Sequence, residues 1–194
     1  LPTRYFRTHP PEEIAEDVRL VNNFLKLQIL YDDRMLEPTV GWRREPARGY
    51  AVVNLCTWDR PGLFSRITGV LAECGLNILG ARVFTREDSI ALDRFFVTDA
   101  RTGQLPKGSQ REQCEERLAD ALAAEQDIKL DLKRLPADTL EYQVIAGERI
   151  PTVIEFDNRS SADFTVLDLE AEDHVGLLYV VSDTLADLGL NIQL

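Results

Sequence analysis

The sequence predicts an α+β fold in which one antiparallel sheet carries its helices on one face. Three observations lead to this class. From Tyr50 onward, strand-like and helix-like segments follow one another in the order strand, helix, strand, strand, helix, strand. The strand-like runs 77–86 and 89–98 meet at a four-residue turn, as in a β-hairpin. Residues 57–78 also recur, at a constant offset of 114 positions, as residues 171–192. The fold is therefore expected to contain one unit twice.

The first 49 residues predict a helical linker. Glu12 and Glu13 complement the positive end of a helix dipole, which favours a helix over 11–30. Residues 37–49 are interrupted by proline and glycine and predict a connector. The helix is expected to bury one apolar stripe, formed by Ile14, Val18, Val21 and Leu25 and widened by Phe24 and Leu27.

Residues 50–158 predict a complete first unit. An apolar run from Tyr50 is typical of a central strand, and Pro61 then fixes a turn before a helix that Gly75 ends. After the hairpin, helical spacing predicts a second helix over 109–125. A last strand is expected at 152–157, after an insertion over about 127–150.

This βαββαβ order predicts a ferredoxin-like arrangement, with both helices on one face of the sheet and the first and third strands at its centre. Residues 164–194 predict the start of a second unit, which supplies a strand, a helix and the beginning of another strand. These elements are too few to bury the apolar stripe of the helix alone. Three partners are open for that helix: the first unit, another molecule, or sequence beyond residue 194.

Composition excludes several classes of function. The net charge of −11 argues against a general nucleic-acid surface, and no apolar run reaches membrane-spanning length. We expect a soluble, cytoplasmic protein that binds neither nucleic acid nor membrane. Three cysteines at wide spacings and two histidines suggest neither a zinc site nor a disulfide framework, so buried thiols are expected. No nucleophile, phosphate loop or metal set predicts catalysis by this chain.

The repeated segment predicts a ligand site where a strand ends and a helix begins. The first N–H groups of that helix have no intrahelical acceptor, and the helix dipole favours an anion such as a carboxylate. Pro61 stiffens the turn, and Gly62 leaves room for close approach. Asp59 offers a carboxylate to an ammonium group, and Asn77 offers a donor and an acceptor. These groups favour a free amino acid as ligand, although the same residues also make an ordinary turn and helix stop.

Two quoted motifs resemble the ACT domain, a small-molecule regulatory module: "DRPGLFSRITGVLAECGLNI" and "ARVFTREDSIALDRFFVTD". With "LPTRYFRTHPPEE", "PTVIEFDN" and the second copy, the chain resembles the C-terminal tandem ACT region of one enzyme family. Its members attach uridylyl groups to the nitrogen signalling protein PII and remove them. The resemblance covers nearly the whole chain except about 14–49 and 127–150.

The resemblance implies a ligand site at the strand–helix turn and the start of the second strand, often between two modules. The positions that match are Asp59, Arg60, Pro61, Gly62, Leu63, Asn77 and Ile78, with a second site at Asp173, Gly176, Leu177, Asn191 and Ile192. The second site departs from the pattern because His174-Val175 replaces Arg60-Pro61.

The implied ligand is glutamine, and the implied partners are PII and the catalytic domains of a longer protein, which use magnesium. No cofactor and no metal are expected in this chain itself. The resemblance leaves open a homodimer formed through the ACT modules. An alternative function stays open as well, a docking or dimerisation module without a small-molecule ligand. A third hypothesis is that the chain is a stand-alone ACT protein or the regulatory part of a metabolic enzyme.

Overall fold

The computed structural model describes residues 5–6, 10–30, 36–123 and 151–192. The chain divides into two compact units whose bounds differ from those of the units predicted above. The first unit is Leu1–Thr139 together with Val175–Leu194, and the second unit is Leu140–His174. The elements of the first unit are α1 (Pro11–Leu30), β1 (Thr39–Glu45), β2 (Tyr50–Trp58), α2 (Leu63–Glu73), β3 (Leu76–Thr85), β4 (Ile90–Asp99), α3 (Gly108–Ala123) and α4 (Leu177–Asp187); those of the second are β5 (Val153–Asp157) and β6 (Val166–Glu170). The expected insertion at 127–150 lies outside the described residues.

The first unit is built on a four-stranded antiparallel sheet with the order β1-β2-β4-β3. The α+β class and the antiparallel ferredoxin-like sheet are confirmed, and the two predicted central strands, β2 and β4, lie at its centre. Helix α2, the hairpin β3–β4 and helix α3 also fall where the sequence predicts them. The predicted last two residues of α3, 124 and 125, are outside the described part of the chain.

The edge of the sheet beside β2 differs from the prediction. Residues 37–49 were expected to be a connector, but Thr39–Glu45 form β1 and pair along β2, from Thr39 opposite Cys56 to Glu45 opposite Tyr50. Val40 and Trp42 alternate with polar neighbours and pack on the core, which explains why the segment is a strand. The prediction failed because Gly41 and the flanking prolines obscured this short alternation.

The strand predicted at 152–157 exists as Val153–Asp157, but it does not join the first sheet. It pairs with β6 in a two-stranded antiparallel sheet, from Val153 opposite Glu170 to Asp157 opposite Val166. The expectation that it completes the first unit's sheet is therefore wrong. Strand β1 occupies the place beside β2 instead.

The main core lies between the sheet and helices α2 and α3. The apolar face predicted for α2 is confirmed, since Ile67, Val70 and Leu71 are fully buried against the sheet. Gly75 ends the segment in the left-handed conformation, with φ of 70°, as predicted. Cysteines 56, 74 and 114 are buried and free, and burial raises the pKa of the Cys56 thiol to about 12.

Helix α1 covers the opposite face of the sheet. Its bounds agree with the prediction, and Val21 and Phe24 of the predicted stripe are buried. The predicted stripe is nevertheless rotated, because Val18 is 54% exposed and Leu20, which lay outside the stripe, is buried. The stripe is rotated because a polar residue, Asp17, also faces the sheet and binds Arg94 of β4. A stripe chosen by hydrophobicity alone could not include an aspartate.

Helix α4, from the second copy of the repeat, packs on α2 of the first copy. Among the three partners considered for it, the first unit is the one that the structure supports. Leu178 and Ile192 rest against the main core, and Tyr179 and Ser182 are buried.

Candidate functional site

The turn at residues 59–62 connects β2 to α2 with an open helix start. Gly62 has φ of 73°, a left-handed value that residues with a Cβ rarely adopt. The first bond of the i to i−4 type runs from the Arg66 N–H to the Gly62 carbonyl at 3.1 Å. The N–H groups of Phe64 and Ser65 therefore precede the helical ladder and have no backbone acceptor in it. Anions are favoured at such a position.

The two copies of the repeat meet in a locally symmetric way. Helix α4 has the same bounds as α2 after the offset of 114 positions. Thr68 of α2 and Ser182 of α4 are equivalent residues, and their hydroxyl oxygens lie 3.3 Å apart in a buried contact. A contact between equivalent residues is what a two-fold relation between two copies produces. The turn of one copy is thereby brought toward the strand start of the other.

A cavity of about 210 Å³ lies at this junction. The first copy contributes the turn and the sheet face behind it, and the second contributes one side of α4 and the residues after it. The lining residues are Asp59, Arg60, Pro61, Gly62, Leu63, Phe64, Ser65, Val83, Thr85, Ser89, Ala91 and Asp93 from the first copy, and Ser182, Ala186, Leu190, Asn191 and Ile192 from the second.

The residues nominated from the sequence fall into two groups. Asp59 to Leu63 line the cavity together, and so do Asn191 and Ile192. Asn77 and Ile78 instead begin β3, where they pair with Thr98 and Val97, and neither lines this cavity. Gly176 and Leu177 start helix α4, with Gly176 in the left-handed conformation, and Asp173 belongs to the second unit. The cavity thus combines the first copy's turn with the second copy's Asn-Ile pair.

Arg60 supplies positive charge to the cavity wall. Its Nη2 donates to the Leu122 carbonyl in the last turn of α3, where the helix dipole favours a cation. Its Nε and Nη1 are buried and find no partner in the described part of the chain. Burial, with a smaller contribution from the nearby Arg66, lowers the pKa of the Arg60 guanidinium. Two N–H donors with no described acceptor suit a ligand carboxylate.

Two carboxyl groups supply the opposite charge. Asp59 is exposed and accepts a hydrogen bond from the Thr85 hydroxyl at 3.1 Å. Asp93, on β4, is only 2% exposed. Burial, together with the charge of Asp59, raises the pKa of Asp93 to about 7, although the Phe84 N–H donates to it and opposes the rise.

Sequence reasoning missed Asp93. A signal was present, since Ala91, Phe95 and Val97 alternate along β4 on the face that packs against α2, and Asp93 holds the same face. A charged residue at an inward position of a central strand is costly unless it serves a purpose. The residues on α4 that complete the wall were not separable from its core positions by periodicity alone.

Neither a metal nor a membrane span is indicated by this part of the molecule. Over residues 5–6, 10–30, 36–123 and 151–192 there is no group of three His, Cys, Asp or Glu placed to hold a metal ion. In the same ranges, every helix is too short or too polar to cross a bilayer.

Comparison with known families agrees with the fold. Residues 51–108, which run from β2 to the start of α3, match the family model described as "ACT domain". This segment therefore belongs to the ACT domain family, and the ACT domain is the class of module that its fold forms.

Three similar curated proteins share one name. The chain is 38% identical over 149 residues to the bifunctional uridylyltransferase/uridylyl-removing enzyme of Caulobacter vibrioides, covering 76% of this chain and 15% of that protein. It is 37% identical over 148 residues to the enzyme of the same name from Novosphingobium aromaticivorans, covering 76% and 16%. It is 30% identical over 190 residues to that of Azospirillum brasilense, covering 97% and 19%. The chain thus spans less than a fifth of the length of these relatives. No solved structure matched significantly.

Proposed function

We propose that the chain is an amino-acid-sensing regulatory region, with glutamine as its ligand. In this proposal it controls the addition and removal of uridylyl groups on PII by catalytic domains of a longer protein. The observation that carries the proposal is the cavity between the two copies of the repeat. An open helix start and Arg60 stand on its wall, with the carboxyl groups of Asp59 and Asp93 beside them.

The charges of the cavity suit both ends of a free amino acid. The ligand's carboxylate would bind at the N–H groups of α2 and at Arg60, and its ammonium group would bind at the carboxyl groups. The volume of about 210 Å³ is below the roughly 300–1,000 Å³ typical of sites for drug-sized ligands, which favours a small metabolite. Asn191 adds a donor and an acceptor for a polar side chain such as that of glutamine.

Regulation would follow from the composite character of the site. A ligand held by both copies stabilises the arrangement in which α2 and α4 are packed together, because it has contacts on each side. Such a ligand shifts a conformational equilibrium only by the difference in its affinity for the two arrangements. We propose that the packed arrangement is the one that the catalytic domains sense.

The proposal predicts a contrast between two equivalent asparagines. In calorimetry of the purified chain against the free amino acids, glutamine is expected to bind. Asn191→Ala should weaken that binding about tenfold, the value of one hydrogen bond. The matched variant Asn77→Ala should bind as the unmodified chain does, because Asn77 is not part of the cavity wall. No heat with any amino acid, or equal losses in both variants, would contradict the proposed site.

A second candidate function, protein–protein docking, is favoured by one observation. Apolar side chains at and after the end of α4 are exposed, with Leu188 at 69% and Leu190 at 53%. If docking is the function, the chain should sediment as a dimer at micromolar concentration without ligand, and Leu188→Ser should make it monomeric. A monomer in the absence of ligand together with glutamine binding would exclude this candidate.

A further inference from the structure

Asp93 is the most deeply buried acidic group of the cavity. It faces the helices from the middle of β4, opposite Leu55 of β2 and Val83 of β3, both apolar. The Phe84 N–H satisfies part of its hydrogen-bonding capacity. Its Oδ1 is buried and has no partner among the described residues, yet Asp93 lines the cavity. This oxygen therefore lacks a hydrogen-bond donor, and a ligand in the cavity can supply one.

The charged groups around Asp93 come from one element. The turn before α2 presents Asp59, which is close enough for its charge to disfavour ionisation of Asp93, and Arg60, which lines the same cavity but forms no ion pair in the described structure. The neighbouring strands, α4 and the residues after α4 present side chains without charge to the cavity, including Ser182 and Asn191. Asp93 therefore forms no ion pair in the described structure, although Arg60 lines the same cavity.

A cation that enters the cavity would interact more strongly with Asp93 than with Asp59. Asp59 is exposed, is screened by water and already accepts a bond from Thr85. Asp93 is shielded from solvent, and an ion pair is worth several times more in a medium of lower effective dielectric constant than in water. Folding has already removed water from Asp93 at a cost in free energy. Pairing with an ammonium group offsets part of that cost.

We propose that Asp93 is the residue that receives the ligand's ammonium group, and that amino-acid binding releases a proton from its carboxyl group to solvent. The exchange is balanced: the protonated carboxyl and the ammonium ion become a carboxylate–ammonium pair, and one proton leaves. This inference rests on the proposed function and adds to it which carboxyl group receives the ammonium and what becomes of its proton. The site takes molecules with a primary ammonium beside a carboxylate and rejects the desamino acid of the same shape.

The wild-type chain provides a test that needs no variant. Titration with glutamine at several pH values between 5.5 and 8 should show affinity rising about tenfold per pH unit up to about pH 7 and then levelling. Calorimetry at pH 6 in buffers of different ionisation enthalpy should show nearly one proton released per ligand bound. Desamino-glutamine should bind at least tenfold more weakly at pH 8.

Two variants of similar size separate the roles of the two carboxyl groups. Asp93→Asn should remove the pH dependence and lower the affinity at pH 8 at least tenfold. Asp59→Asn should retain the pH dependence but move it to lower pH, because the charge of Asp59 helps to raise the pKa of Asp93. Retained fold is checked by tryptophan fluorescence in urea. Glutamine binding that does not vary with pH and releases no proton would overturn the role of Asp93 and leave the proposed function standing. The absence of binding by any amino acid at every pH would overturn both.

Discussion

Replacing Arg94 with alanine is expected to lower the free energy of unfolding of the first unit by about 3–5 kcal/mol. Arg94 is only 4% exposed, between the sheet and α1. Its guanidinium donates to Asn54 Oδ1 at 2.7 Å and to Asp17 Oδ1 at 2.9 Å, and it also pairs with Glu13. Without it, the carboxylate of Asp17 stays buried with no compensating cation, which is the costly outcome.

Urea denaturation followed by tryptophan fluorescence measures this loss. Both tryptophans, Trp42 and Trp58, lie in β1 and β2, so the signal reports on the first unit. The matched control is Arg82→Ala, since Arg82 also pairs with Glu13, at 3.3 Å, but its side chain is 54% exposed. That variant should lose less than about 1 kcal/mol.

The network also permits a rescue experiment. Replacing Arg94 with methionine and Asp17 with leucine together removes both buried charges and should recover most of the stability lost by Arg94→Ala. Similar losses in Arg94→Ala and Arg82→Ala would show that the buried position of Arg94 is unimportant.

The second large effect concerns Asp93 in the absence of ligand. Its pKa is about 7 in the folded protein, above the ordinary value of 3.8, so between these values the folded state holds a proton that the unfolded state has released. Stability contributed by this group is therefore present below pH 4 and lost as pH rises to 7. The loss amounts to something on the order of 4 kcal/mol.

Asp93→Asn removes that titration. The variant's advantage over the unmodified chain, measured by urea denaturation without ligand, should grow as pH rises from 4 to 7 and stay constant above 8. The control Asp59→Asn should show a much smaller change, because burial, which this variant leaves in place, raises the pKa of Asp93 more than the charge of Asp59 does. An advantage of Asp93→Asn that is the same at pH 4 and pH 8 would mean that Asp93 titrates in the ordinary range.

Local patterns predicted most of the first unit. Helix α2 and the hairpin β3–β4 carry periodic apolar residues with clear turn residues at their ends, so their positions follow from the sequence. Strand β1 was missed because turn-forming residues surround it, and the face of α1 was misplaced because an ion pair, rather than apolar contact, determines it. The partner of Val153–Asp157 is a long-range choice that no local pattern contains.

Only the part of the site that is continuous in sequence could be predicted, because the rest depends on long-range packing. The turn from Asp59 to Leu63 is continuous in sequence, so its open helix start and its arginine can be read directly. The pairing of that turn with Asn191, and not with Asn77, depends on how two helices pack. To predict that Asp93 is buried, one must know which face of β4 is covered. To predict its role, one must also know that this face opens into a cavity.

The contact between Thr68 and Ser182 also bears on how the two copies of the repeat diverge. In a cavity that takes the turn from one copy and the strand start from the other, each copy is constrained in a different half. Substitution of His174-Val175 for Arg60-Pro61 therefore leaves this cavity's wall unaltered, while the Asn-Ile ending of the same copy belongs to it. The packing of the two copies thus allows the second copy to lose a turn that the first copy retains. The conserved and the drifting parts of each copy should accordingly be complementary among homologous chains.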